Sequence, residues 1–249
     1  MQELRTVRRR ARLRPVRPAG WWFDALLLAA AIALTVALAN GVLLDLDLAV
    51  RDWGEANRSA TGYWIARVFN FLGQSGWLLM PLTGALAVLV SVRTRSVRPL
   101  LVMVATIAVI YLTVGSMKLL LHRGYPRNFE LAHPERLFSD PVGGMAYPSG
   151  HVVNTIVWYW AIALLLAALL RVTGRSAPAW IYPALRTVPP AIVFVTTIYL
   201  NYHWVTDSIA GLLVGVLLER LLARVPWDDV PLPALPRGLE RPGVFTSTS

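Results

Sequence analysis

The run Tyr147-Pro148-Ser149-Gly150-His151 leads directly into the apolar segment Val152–Leu170. Proline and glycine break the incoming chain, and serine is a preferred residue for closing the start of a helix. The segment behind it has the length needed to cross the hydrocarbon core of a bilayer, about 20 mainly apolar residues. A second polar set, His203 and Asp207, stands four apart at the head of Val205–Leu222. A third, Lys118, near the end of Leu100–Leu121, is the only lysine among 24 basic residues. Polar groups at the ends of apolar segments are expensive to keep idle. The three places read as parts of one site that handles a phosphate group.

Working outward, further apolar blocks are Trp21–Leu44, interrupted only by Asp24, Thr35 and Asn40, then Gly76–Val92, and a short Val188–Leu200. Pro189 and Pro190 suit the start of a helix there. The chain has 249 residues, 56% of them hydrophobic, too apolar for an ordinary soluble domain. The expected fold is all-α, an integral membrane bundle of six helices over residues 21–225. A basic tail, 1–20, precedes it, and a Pro-rich segment, 226–249, reads as disordered. There is no internal repeat. Gly211 and Gly215 are spaced for close helix packing in the last span. Cysteine is absent, so no disulfide or thiolate metal site can form. The net charge of +10 does not point to nucleic acid, because the N-terminal arginines crowd just before a span with no folded module beside them. Such a cluster orients a first helix and contacts anionic headgroups. That first segment lacks a small-residue cleavage site and reads as a retained span.

The arginines also set an orientation. Arg93, Arg95 and Arg98, then Arg171, Arg175 and Arg186, then Arg220 and Arg224 fall on one side with the N-terminal tail, the cytoplasmic side. The acidic stretch holding Asp45, Asp47, Asp52 and Glu55 falls on the other. Lys118, His151 and His203 then converge on the extracytoplasmic face, with both termini cytoplasmic.

Each polar set has a chemical reading beside a plain one. Residues four apart on a helix share a face. Asp207 can therefore fix the tautomer of His203 and leave its other nitrogen to attack. The pair can equally be wetted by the interface, or ligate a metal. The N–H groups at a helix start form an anion site: Ser149 and the Gly150 backbone suit phosphate oxygens, and His151 suits protonation of a leaving oxygen. The alternative is a simple cap followed by an interfacial histidine. Lys118 supplies a flexible charge or snorkels to the interface.

Taken in order, Lys118, Pro148-Ser149-Gly150-His151 and His203-x3-Asp207 resemble the motifs of the type 2 phosphatidic acid phosphatase superfamily, which also contains the vanadium haloperoxidases. The resemblance spans roughly residues 60 to 222. It implies His203 as nucleophile, Asp207 as its orienter and His151 as general acid. Lys118, Ser149 and Gly150 would hold the phosphoryl oxygens. In that family the first motif is Lys-x6-Arg-Pro and the third Ser-Arg-x5-His-x3-Asp. Here the expected arginines fall on Tyr125 and Thr197. Arg123 and Arg127 flank the first gap as replacements for the phosphate clamp. The run Thr197-Ile198-Tyr199-Leu200-Asn201-Tyr202-His203 resembles the inositol phosphotransferases of sphingolipid synthesis.

These readings imply a membrane lipid phosphatase acting on a polyprenyl or glycerolipid phosphate or pyrophosphate, through a phosphohistidine and without metal or cofactor. Its partners would be lipids and not nucleic acid. A phosphotransferase of the same fold with an alcohol acceptor, or a non-catalytic lipid-phosphate binder or transporter, stands as the alternative. Haloperoxidase chemistry does not suit a membrane site without the vanadate arginines. The Arg, Ala, Leu and Val bias points to a GC-rich bacterial genome and its cytoplasmic membrane.

Overall fold

The computed structural model describes Pro18 and residues 20–245. The N-terminal arginine cluster, Arg5 to Arg17, lies outside the described residues. Counting each helix with the π turn that continues it, eight helices follow: α1 Trp22–Ala39, α2 Leu44–Asn57, α3 Ala60–Asn70, α4 Ser75–Thr94, α5 Arg98–Leu121, α6 Gly150–Val172, α7 Ile181–Tyr199 and α8 Val205–Arg224.

Five of these, α1, α4, α5, α6 and α7, are long and apolar enough to cross a membrane. The sixth expected span, α8, has the length but carries Asp207, Glu219 and Arg220. Its charges are paired: Glu219 receives Arg186 at 2.5 Å, and Asp24 at the start of α1 receives Arg220 at 2.5 Å together with Arg224. Intramembrane charges survive in this way, tied to a partner inside the bundle.

The centre of the bundle is α6. It is apolar on every side, the mark of a helix enclosed by others, and Val153, Val157, Trp158, Ala161 and Leu165 are buried. α4, α7 and α8 pack around it, α1 packs on α8, and α3 on α7. Small residues let two of these backbones meet, as expected for Gly211 and Gly215. A Cβ on Gly211 would lie 2.8 Å from the Ser149 carbonyl oxygen, and one on Gly215 2.8 Å from Ile156 Cδ1. Outer faces carry Leu28, Ile32, Val36, Val88, Val92, Val104 and Leu112 outward, where lipid tails belong.

Three expectations need correction. The acidic stretch between the first two expected spans is not a plain connection: it forms α2, and its Asp47 is buried. The fifth span begins at Ile181 rather than Val188, so Pro189 and Pro190 lie buried inside α7. Proline is tolerated inside membrane helices because neighbouring groups re-satisfy the freed backbone. The Pro-rich segment after residue 225 is not disordered over the described residues. Arg98, at the start of α5, donates to the carbonyls of Trp227 at 2.7 Å, Val230 at 3.1 Å, Glu240 at 3.0 Å and Arg241 at 3.1 Å. Asp228 accepts the backbone N–H of Val244 at 2.8 Å and of Phe245 at 2.9 Å. Trp227, Val244 and Phe245 are buried. A proline-rich stretch cannot form its own ladder, but one guanidinium offers five donors, enough to collect its carbonyls.

Two π turns mark the other end of the bundle. α4 and α5 pack along Met80–Thr94 and Arg98–Ile110. Beyond that level, Ser75–Leu79 and Tyr111–Gly115 are π turns. Ser75–Leu79 leans on α6, whereas Met117 and Leu121 of α5 lean on a cluster of Leu38, Leu44, Leu137 and Tyr147.

Candidate active site

One end of the bundle gathers the three polar sets. Lys118 from the end of α5, Gly150 and His151 from the start of α6, and His203 from the turn before α8 line a cavity of about 720 Å³. Gly73, Gln74, Ser75, Gly76, Tyr125, Arg127, Asn128, Asn154, Asn201 and Tyr202 complete its wall.

His203 is placed by the start of α8. Asp207 is the third residue of that helix, and its Oδ2 accepts the N–H of Trp204 at 3.0 Å, satisfying one of the donors a helix start leaves open. The same oxygen faces His203 Nδ1 at 3.4 Å. Nδ1 is thereby committed to the carboxylate, which leaves Nε2 for chemistry. Burial pushes the His203 imidazole below its ordinary value, against the pull of Asp207 and the Ala146 carbonyl and with the help of Lys118. The neutral form of the ring is favoured.

The His151 ring stands edge-on to His203, with centroids 5.8 Å apart. Its Nε2 is 3.3 Å from Gln74 Nε2. Gln74 follows a 3₁₀ turn, Phe71–Gly73, that approaches His151 closely. A Cβ on Gly73 would lie 2.9 Å from Val193 Cγ1 and 3.3 Å from His151 Cβ. A glycine there is what lets the amide reach the imidazole. Nothing in the sequence pattern singles out Gln74.

Lys118 Nζ donates to the Met145 carbonyl and lies over Gly150, within 4.0 Å of where a Cβ would stand. Tyr125, where the first motif's arginine is expected, does line the cavity, its ring 5.9 Å from that of His203. Burial, with Asp207 and Asp140 behind it, pushes its phenol up, so it remains an O–H donor. Arg127 donates to the Leu200 carbonyl, with its guanidinium 4.6 Å from the Tyr202 ring centroid, at the cavity wall.

Two expected phosphate ligands are elsewhere. Arg123 is buried behind the site, not in it. It donates to the Glu135 carbonyl at 2.8 Å, to Thr206 Oγ1 at 2.8 Å, to Asp207 Oδ1 at 2.6 Å and to Asp47 Oδ2 at 2.5 Å. Two buried carboxylates hold a guanidinium more strongly than an open cavity does. Ser149 is fully buried and does not line the cavity; its hydroxyl faces the Val152 N–H at 3.5 Å as a helix cap, and its own N–H donates to the Asp207 carbonyl at 2.9 Å. Thr197, at the other missing arginine, is also fully buried, and its carbonyl receives the Tyr202 N–H at 3.0 Å.

Fold and site together define a multi-pass membrane enzyme built for phosphate esters. The chain belongs to the PAP2 superfamily, whose family model matches residues 99–231. It is 29% identical over 157 residues to an undecaprenyl-diphosphatase of Sulfolobus acidocaldarius, covering 62% of this chain and 68% of that protein. Its fold is similar to the crystal structure of a transmembrane PAP2-type phosphatidylglycerolphosphate phosphatase from Bacillus subtilis. The TM-score is 0.64 at 22% identity, over 80% of this chain and 93% of that one.

Proposed function

We propose that the protein is a membrane lipid phosphatase that hydrolyses a lipid phosphate or pyrophosphate through a phosphohistidine, at the extracytoplasmic face. The observation that carries this reading is the pair of facing imidazoles, His151 and His203, 5.8 Å apart at one cavity wall with Lys118 beside them. A phosphoryl group between the rings has a nucleophile on one side and an acid on the other. His203 Nε2 attacks phosphorus and forms the P–N bond as the P–O bond to the lipid breaks, and His151 gives its proton to the departing oxygen. Water then attacks phosphorus and yields a proton to the now neutral His151. The P–N electron pair returns to His203, and phosphate leaves. Asp207 stabilises the positive ring in between. Lys118, the Gly150 backbone, Tyr125 and Arg127 supply the donors to the phosphoryl oxygens.

The outer ends of α4 and α5 lean to different neighbours, and both Gly73–Gly76 and Lys118 line the cavity. A lipid tail would leave the cavity between them and lie in the bilayer. The named relatives act on a prenyl diphosphate and on a glycerolipid phosphate, so farnesyl diphosphate and phosphatidic acid are suitable probes. Purified protein should release phosphate, and His203→Ala and His151→Ala should not; variants that match an active parent would refute the assignment. A phosphotransferase reading keeps the same first step and puts an alcohol in place of water. The amide of Asn154 in the wall offers a polar contact for such an acceptor. Product analysis separates the two, since transfer leaves a new diester and little free phosphate.

For the orientation, with termini cytoplasmic, the absence of native cysteine offers a test. A single cysteine at Val142, which is 95% exposed, should label from outside intact cells, and one at Arg95 only after permeabilisation. The reverse pattern would overturn the assigned face.

A further inference from the structure

The contacts that take Arg123 out of the cavity tie the histidine–aspartate pair to a helix that has no part in the steps above. Asp47, on α2, is buried, and its Oδ1 accepts the Thr206 N–H at 3.0 Å. Its Oδ2 accepts the Thr206 hydroxyl at 2.5 Å and Arg123 at 2.5 Å. The other terminal nitrogen of Arg123 reaches Asp207 Oδ1 at 2.6 Å, and Asp207 Oδ2 faces His203. A line of alternating charge therefore runs from α2 to the imidazole. The side chains of Asp47, Arg123 and Asp207 have no exposed surface.

We infer that Asp47 and Arg123 are positioning residues of the reaction, setting through Asp207 how strongly His203 is held and how readily its free nitrogen attacks. The inference rests on the proposed role of His203 as nucleophile. The chemistry is a matter of shared charge. Arg123 alone would draw the Asp207 carboxylate toward itself and weaken its hold on His203. Asp47 takes up part of that guanidinium. With both carboxylates ionised the three groups carry one net negative charge, which complements the cation His203 becomes when it is phosphorylated. Buried charges without partners are strongly unfavourable, so a carboxylate on α2 with no surface exposure has to be matched, and here Arg123 matches it. The groups around His203 are Asp207 from α8, Tyr125 from the loop after α5, Lys118 from α5 and His151 from α6. Arg123 and Asp47 stand behind Asp207.

Removing one charge at a time should move His203 in opposite directions. Asp47→Asn leaves Arg123 to Asp207 alone. The acid limb of kcat/KM should then shift to lower pH by about half a unit to one unit, with kcat down about tenfold. Arg123→Gln leaves two carboxylates beside the ring, and the limb should shift to higher pH by a similar amount. The double variant restores the single net negative charge, and its limb should return to within about 0.3 units of the parent. KM should hold in all three, because neither residue lines the cavity. Farnesyl diphosphate in detergent micelles is the probe, and the melting temperature of each variant checks folding. If Arg123→Gln does not fold, Asp47→Asn and the double variant decide. Limbs that stay put, limbs that move the same way, or losses confined to KM would overturn the inference and leave a purely structural cluster. An active His203→Ala would instead defeat the underlying reading of the nucleophile.

Discussion

Two arginines are buried at opposite ends of this bundle, and they are held by different things. Arg98 at the tail end is met by four backbone carbonyls. Arg123 at the cavity end is met by two carboxylates, a hydroxyl and one carbonyl. Neutral partners spread the charge of Arg98 over a segment of chain and fix that segment in place. Ionised partners make the charge of Arg123 part of a balance that includes Asp207 and, through it, His203. Burial alone does not distinguish a staple from a component of a site; the protonation chemistry of the partners does.

The contrast can be tested from its extremes inward. His203→Ala should lower phosphate release about 10⁴-fold or more while leaving the melting temperature close to the parent's, since the ring stands in a cavity wall rather than in the apolar core. Arg98→Ala should do the reverse. It strands buried carbonyls and should cost about 2–4 kcal/mol of stability, read as a lower melting temperature in detergent, with kcat unchanged in the protein that remains folded. If Arg98→Ala abolishes turnover without affecting melting, the two ends are not separable in this way.

Next in size is Tyr125→Phe, which removes an O–H donor from the cavity but keeps the ring beside His203. A loss of about 10- to 100-fold in kcat is expected, and an unchanged rate would remove Tyr125 from the set of phosphate donors. Gln74→Leu should cost about tenfold by freeing His151 from its amide neighbour, with the change seen on the basic side of the pH profile. Were only KM to rise, Gln74 would be a substrate contact and not a guide for His151.

The smallest effect is on pH dependence. An unperturbed histidine titrates near pH 6.5, and burial holds His203 below that. The proton therefore binds the folded ring more weakly than the unfolded one. The attacking form persists as pH falls through about 6.5, and the acid limb of kcat/KM should lie below it. Any contribution of His203 to stability runs the same way: it costs nothing above about 6.5 and grows unfavourable as pH falls. An acid limb at or above that value would contradict the burial argument.

The sequence carried the span pattern well because lipid leaves few choices: α1, α4, α5 and α6 fall where apolar runs of bilayer length lie. The cluster of Lys118, His151 and His203 was legible for a related reason, since all three stand at segment ends on one side. What was not legible depends on contacts between distant parts of the chain. Asp47 looks like Asp45 and Asp52 in an acidic stretch, and only its approach to Thr206, 159 residues away, sets it apart. Arg123 has the residue type and spacing of a phosphate ligand, and loses that place because two carboxylates reach it first. Gln74 has no motif around it. Its signal, if any, was Gly73, whose bare backbone is needed beside His151. The start of α7 was masked by Pro189 and Pro190, which end helices in water more readily than in a membrane.

The hydrogen bond from the Ser149 N–H to the Asp207 carbonyl has a mechanical consequence. It joins the first turn of α6 to the first turn of α8 just where Gly211 lets the two backbones touch. His151 and His203 are therefore mounted on one welded joint, and the gap between them is set by main chain rather than by loops. Strain in the surrounding bilayer has to pass through that joint before it can change the spacing of the two rings.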